Sequence, residues 1–263
     1  MSFSWLEICR KMGREVSRRV MQLYEKSEGR RRIGRGAGGD TTLLMDHAAE
    51  KIVFTNLRKM NACIISEEKG EVVLENPDIY IVVDPLDGST NAERRIPFFA
   101  FSVAVLESRN LGSTNFAYVR DIFRGEEFWA SKGKGAYMDG KRVRCSRIPM
   151  LKNICVSFPK ATRKNDIPYF CRLMERAEYI RDLGSCALHM CYMARGSFEC
   201  YFGGSIRLLD ICSGKLIVEE AGGFVRDMFG NEIDHLEVGM GKSTSLLACS
   251  NRRVLKNAIE VLR

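Results

Sequence analysis

Two carboxylates three residues apart, Asp84 and Asp87, follow the apolar run Ile79-Tyr80-Ile81-Val82-Val83 in the string Asp84-Pro85-Leu86-Asp87-Gly88-Ser89-Thr90-Asn91. The run reads as a buried strand and the string as a tight turn at its end. Pro85 fixes φ of the first turn residue and removes a donor, so both acids and the Leu86 carbonyl can converge on one spot. An all-oxygen set of this kind suits a hard cation, Mg²⁺ above all, which takes a few carboxylates and completes its shell with water and substrate phosphate. Gly88 lets a ligand approach the backbone closely, and Ser89-Thr90-Asn91 can open a short helix whose free amides suit a phosphate. A bare D-x-x-D is by itself an ordinary turn with two solvated acids; the eight-residue string is far more specific.

Further acids stand at comparable places. The strand-like Ala62-Cys63-Ile64-Ile65-Ser66 leads into Glu67-Glu68, and if the two strands are neighbours, Glu67 lies beside Asp84 and Asp87. Asp210 follows Arg207-Leu208-Leu209 and precedes a helical stretch, Ile211 to Glu220, with the stop Ala221-Gly222-Gly223; taken alone it is a good helix N-cap. Gly34 to Gly39 fits the letters G-x-G-x-x-G, yet it follows a basic helix where the dinucleotide fingerprint needs a strand, so the match is one of chance. These glycines read instead as a mobile loop that carries Asp40-Thr41-Thr42 into the next helix.

The order acid-acid, D-P-L-D-G-S, late Asp before an A-G-G helix end resembles the lithium-sensitive, Mg²⁺-dependent phosphomonoesterases, the inositol monophosphatase and fructose-1,6-bisphosphatase superfamily. The resemblance runs from about the Asp40 loop to Gly223 and is nearest the archaeal type acting on both substrates. It implies an α/β (α+β) fold, a five-layered α-β-α-β-α sandwich, and hydrolysis of sugar or inositol phosphates by metal-activated water. Glu67, Asp84, Asp87, Asp210 and the Leu86 carbonyl would hold two or three Mg²⁺ ions, with Mn²⁺ able to substitute. Asp40 would approach a third, weakly held ion. Asp46 would accept a hydrogen bond from the Ser89 hydroxyl, and with Glu67 that pair would orient the attacking water. Gly88, Ser89 and Thr90 would hold the phosphate, and Gly184, Ser185 and Cys186 would meet the sugar or inositol ring. Arg181 and Arg207 are either contacts to a second phosphate or surface ion-pair residues.

Departures from the family pattern bear on substrate choice. Seven residues before Asp210, inositol-specific members carry a ring-binding Glu and the dual type often a basic residue; Gly203 stands here. Leu209 replaces a frequent Trp, and the late acid is Asp where animal bisphosphatases have Glu. A nucleotide 3′-phosphatase or NADP phosphatase of the same superfamily is the alternative enzyme. An inactive regulatory or nucleic-acid-binding relative is the alternative from another class, but it would be expected to lose a metal acid.

The 263 residues, 45% of them hydrophobic, can bury a large core as one unit, with approximate halves 1–150 and 151–263. No apolar run reaches the ~18 residues that span a bilayer, and a cytoplasmic protein is expected. Ten cysteines without a C-x-x-C pair read as reduced, mostly buried thiols, with a regulatory disulfide left open; three histidines without H-E-x-x-H read as packed or surface residues. The net charge of +8, concentrated partly in Arg30-Arg31-Arg32, suits a small phosphorylated metabolite and does not by itself call for nucleic acid or membrane. The family suggests a homodimer or homotetramer.

The elements that must position these groups are read from periodicity and punctuation. Helices are expected at Phe3 to about Lys26, Leu43 to Lys59, Tyr169 to Ala177, Ser185 to Ala194 and Arg252 to Leu262. Besides the two acid-bearing strands, strands are expected at Phe98 to Leu106, Ser113 to Val119, Glu126 to Ala130 and Ile154 to Ser157. Tyr179 to Arg181, Glu199 to Phe202, Phe224 to Arg226 and Ser245 to Cys249 complete the set, which implies alternating layers of helix and sheet.

Overall fold

The structure, a computed structural model, describes residues 4–39, 41–73, 77–157 and 163–263. Asp40 lies outside the described residues. In chain order the first half contains α1 (Trp5–Tyr24), β1 (Arg32–Arg35), β2 (Thr41–Leu43), α2 (Leu44–Leu57), β3 (Ala62–Ser66), β4 (Gly70–Val72), β5 (Ile79–Asp87) and α3 (Ser89–Arg94). It continues through β6 (Ala100–Leu106), β7 (Thr114–Asp121), β8 (Glu127–Ser131), β9 (Gly135–Met138) and β10 (Lys141–Val143). Then follow β11 (Asn153–Ser157), α4 (Arg163–Met174), β12 (Tyr179–Arg181), α5 (Cys186–Ala194), β13 (Cys200–Arg207), α6 (Leu208–Glu220), β14 (Phe224–Arg226), β15 (Ser243–Cys249) and α7 (Arg252–Leu262).

Five layers result. An eight-stranded sheet, ordered β10-β9-β8-β7-β6-β5-β3-β4, carries α1 and α2 on one face and α5 and α6 on the other. The second sheet, β12-β11-β13-β15-β14, packs its inner face on α5 and α6 and its outer face on α4 and α7. Each interlayer space has its own core: Val16, Val53, Ile81 and Phe101 under α1 and α2; Val82, Val119, Leu188 and Ile217 around the central helices; Phe170, Phe202, Leu247 and Val254 under the outer pair. α1 is amphipathic because only one side meets a sheet, with Cys9, Met12, Val16, Val20 and Leu23 buried at helical spacing. α6 lies between two sheets and is apolar on nearly every side, burying ten of its residues from Leu208 to Val218.

The acid-bearing strand differs from its expected form in one instructive way. No turn begins at Asp84; β5 continues to Asp87 through a bulge at Pro85-Leu86, where the register against β6 shifts. Proline lacks the N–H that a regular ladder needs, and a bulge is where a sheet tolerates that. Asp84 pairs with Ser102 and Asp87 with Ala100. Those partners are two apart on β6, so the bulge turns acids three residues apart onto one face of the sheet.

Among the described residues, no helix is long and apolar enough to cross a membrane. All ten cysteines are free thiols, eight of them buried. α4 begins before Pro168, earlier than expected, with the proline inside it.

Candidate active site

β3 and β5 run parallel and adjacent, with Ser66 paired to Val83. The turn after β3 therefore brings Glu67 to the end of β5, and α6 brings Asp210 from the central layer. Glu67, Asp84 and Asp210 each offer an oxygen within 4.8 Å of the others. They form one wall of a cleft of about 960 Å³, which Leu86, Asp87, Gly88, Ser89 and Thr90 also line. Gly88 adopts φ +87°, and a Cβ there would press within 3.1 Å of the Gly184 and Phe98 carbonyl oxygens. This is one position where glycine is required by both torsion and space.

The acids are not alike. Asp84 is 3% exposed; its Oδ1 accepts the Leu86 N–H at 3.0 Å, and its buried Oδ2 has no hydrogen-bond partner. Burial, and after it the charges of Glu67, Asp87 and Asp210, push its pKa well above the usual carboxylate range. Asp210 also has an unpartnered buried oxygen, Oδ1, and burial raises its pKa to about 7 against the opposing pull of Arg207. Two unpartnered buried carboxylate oxygens on acids of one cluster fit a divalent cation, which would offset the cost of burying them.

Asp87 is engaged instead with α5. It accepts the Ser185 hydroxyl, the Ala187 N–H at 2.9 Å and the Cys186 N–H at 3.2 Å. Burial still raises its pKa to about 6, with those bonds working the other way. It stands beside the cluster, and its side chain caps the first turn of a helix from the next layer.

Other expected residues are placed as follows. Asp46 does not bond Ser89: its Oδ2 accepts the Leu43 N–H at 2.6 Å and its Oδ1 has no partner. As the third residue of α2 it has a free N–H of its own helix within reach, and that local donor wins. Gly184, Cys186 and Arg207 line the cleft, whereas the buried Ser185 supports it through Asp87. Arg181 is exposed on the edge strand β12, 5.7 Å over the Tyr179 ring, outside the cleft lining. Gly203 is also outside the lining, because a side chain there would meet Ile206 at 2.5 Å; Ile206 itself forms that part of the wall. Ile206 thus covers the backbone at Gly203 and turns an apolar side chain to the cleft.

Asn91 donates to the Phe98 and Leu183 carbonyls, both at 2.7 Å, tying α3 to the turn before α5. The buried His189 accepts the Leu183 N–H at 2.9 Å, and burial lowers its pKa to about 3, so it serves as a neutral acceptor. The rim residues Arg32, Glu93, Arg94, Ser157, Ser205 and Ser243 also line the cleft. Sequence reasoning did not find them, since each lies outside a motif.

Asp46 carries a pH prediction. Burial, with smaller contributions from Glu68, Glu67 and Glu93, raises its pKa to about 8 despite the Leu43 bond. The folded chain then binds more protons than the unfolded chain from about pH 4 to pH 8, so stability falls as pH rises through this range. The metal-free protein is expected to unfold at lower denaturant at pH 8 than at pH 6. Asp46→Asn should remove part of that slope, and an unchanged slope in the variant would refute the assignment.

Comparison with known proteins agrees with this geometry. The chain is 34% identical over 275 residues to the fructose-1,6-bisphosphatase/inositol-1-monophosphatase of Methanothermobacter thermautotrophicus, covering 99% of this chain and 97% of that protein. It is 32% identical to Nus factor SuhB of Escherichia coli, covering 98% and 95%. A solved inositol monophosphatase-fructose 1,6 bisphosphatase shares the fold with a TM-score of 0.86 at 24% identity, covering 98% of this chain and 100% of that one. The model of the inositol monophosphatase family matches residues 5–262, and with the five-layered fold and the acid cluster in place, the chain belongs to that family.

Proposed function

We propose that the protein is a Mg²⁺-dependent phosphomonoesterase that hydrolyses sugar or inositol phosphates, fructose 1,6-bisphosphate and inositol 1-phosphate being the first candidates. The observation that carries this reading is the convergence of Glu67, Asp84 and Asp210, with orphaned oxygens on the last two, at the wall of a large cleft. Glu67, Asp84, Asp210 and, on rearrangement of its hydrogen bonds, Asp87 would hold the metal, with the Leu86 carbonyl completing the set. A metal bound there acidifies a water molecule and offsets charge on the phosphoryl oxygens.

The chain's own residues do the rest. Gly88 has no Cβ, so the phosphate can approach the backbone, and the Ser89 and Thr90 hydroxyls stand in the same wall. Glu67 is the acid placed to orient the attacking water. Asp46 is assigned to the start of α2 rather than to Ser89. Gly184 and Cys186 face the leaving group, and Ile206 gives its ring an apolar contact.

The relatives named for both fructose bisphosphate and inositol monophosphate support the substrate class, and retention of Glu67, Asp84, Asp87 and Asp210 argues for a working enzyme rather than a regulatory relative. Mg²⁺ as the metal, a cytoplasmic location and assembly as a homodimer or homotetramer belong to the same proposal and rest on the resemblance.

Phosphate release from fructose 1,6-bisphosphate, inositol 1-phosphate, NADP and 3′-phosphoadenosine 5′-phosphate, each with and without Mg²⁺, tests it. The expected result is Mg²⁺-dependent turnover of the first two. Turnover confined to the nucleotides would replace the substrate class, and turnover indifferent to Mg²⁺ would remove the metal mechanism.

A further inference from the structure

Arg207, the last residue of β13, binds the acidic cluster from within. Its Nη1 lies 2.6 Å from Glu67 Oε1, and its Nε lies 2.9 Å from Asp210 Oδ2. One guanidinium therefore spans an acid from the turn after β3 and an acid from the central helix layer. Burial opposes its charge, but Asp210, Glu67 and Asp84 raise its pKa above the ordinary value. Three carboxylates within 4.8 Å of one another call for a counter-charge, and this side chain supplies one.

The glycine loop lies against one side of the guanidinium. The Gly38 N–H donates to the Glu67 carbonyl at 2.9 Å, and a Cβ on Gly38 would come 3.0 Å from Arg207 Nη1. The glycine loop thus packs directly on the ion pair. Arg207 also lines the open cleft, and its side chain remains 33% exposed.

We propose that Arg207 is a tethered counter-cation that competes with the metal for Glu67 and Asp210, holding the two acids together and yielding toward the cleft when a divalent cation takes them. The inference rests on the metal reading of the cluster. A single positive charge a few ångströms from a dication is strongly repulsive in a site of low polarity, so both cannot keep the same carboxylate faces. Arg207 therefore raises the metal concentration that the site requires.

The test is titration with Mn²⁺, following free Mn²⁺ by electron paramagnetic resonance, together with thermal unfolding in EDTA, for the wild type, Arg207→Met, Arg207→Gln and Arg207→Lys. Both neutral variants are expected to bind Mn²⁺ at least about tenfold more tightly and to unfold at lower temperature in EDTA. Arg207→Lys, which keeps the charge, should stay near the wild type in both. A residue that merely held the acids in place would show the opposite sign, weaker Mn²⁺ binding on removal. Weaker or unchanged binding in the neutral variants overturns the proposal while leaving the metal site standing; no Mn²⁺ binding by any of the four proteins overturns both. Having two neutral variants keeps the test in force if one of them fails to fold.

Discussion

Asp84→Asn should abolish Mg²⁺-dependent phosphate release, by roughly a thousandfold or more, while leaving the folded structure intact. Asparagine keeps the shape and an oxygen for the Leu86 N–H, the bond that Asp84 Oδ1 accepts at 3.0 Å. It removes the charge on Oδ2, one of the two orphaned oxygens of the cluster. Because burial and three neighbouring acids already disfavour ionised Asp84, the variant in EDTA should melt no earlier than the wild type. The upward shift in melting temperature that Mg²⁺ gives the wild type should disappear. Substantial remaining Mg²⁺-dependent turnover would end the assignment of Asp84 as a ligand.

Asp87→Ala should behave differently, although it lies three residues away on the same face of β5. Here the carboxylate accepts three hydrogen bonds from Ser185, Cys186 and Ala187 at the start of α5. Removing it leaves buried donors unsatisfied in the layer between the two sheets, at a cost of about 2–4 kcal/mol. Equilibrium urea unfolding near pH 7 should show that loss alongside the loss of activity. Wild-type stability in the variant would mean that the α5 turn is held by other contacts. The two substitutions together separate an acid kept for a ligand from an acid that also holds the fold.

Much of this site was legible in the chain, for local reasons. An apolar run ending in acids, a glycine and hydroxyls marks a strand end with a ligand beside it, and Glu67, Asp84 and Asp210 do converge. What escaped the sequence had both non-local and local causes. The bulge in β5 is set by pairing with β6, so Pro85 read as a turn residue when it is a ladder irregularity. β1 has four exposed residues, Arg32 to Arg35, and offers no alternation to detect. The helix expected from Tyr169 starts earlier, and α4 passes through Pro168. Asp46 was drawn to Ser89 by the resemblance, whereas its Oδ2 accepts the Leu43 N–H at the start of its own helix. The Arg207 ion pair joins positions far apart in the chain, and nothing beside Arg207 in sequence announces Glu67.

The cluster takes Glu67 and Asp84 from the large sheet and Asp210 from the helix layer that the second half of the chain supplies. A nascent chain still missing Asp210 thus lacks a wall of the pocket, however well its first sheet has formed. A cation held by this cluster would find its full seat only after the ribosome has passed residue 210 and α6 has inserted between the sheets. Ion capture at this cluster would therefore come late in the life of the polypeptide.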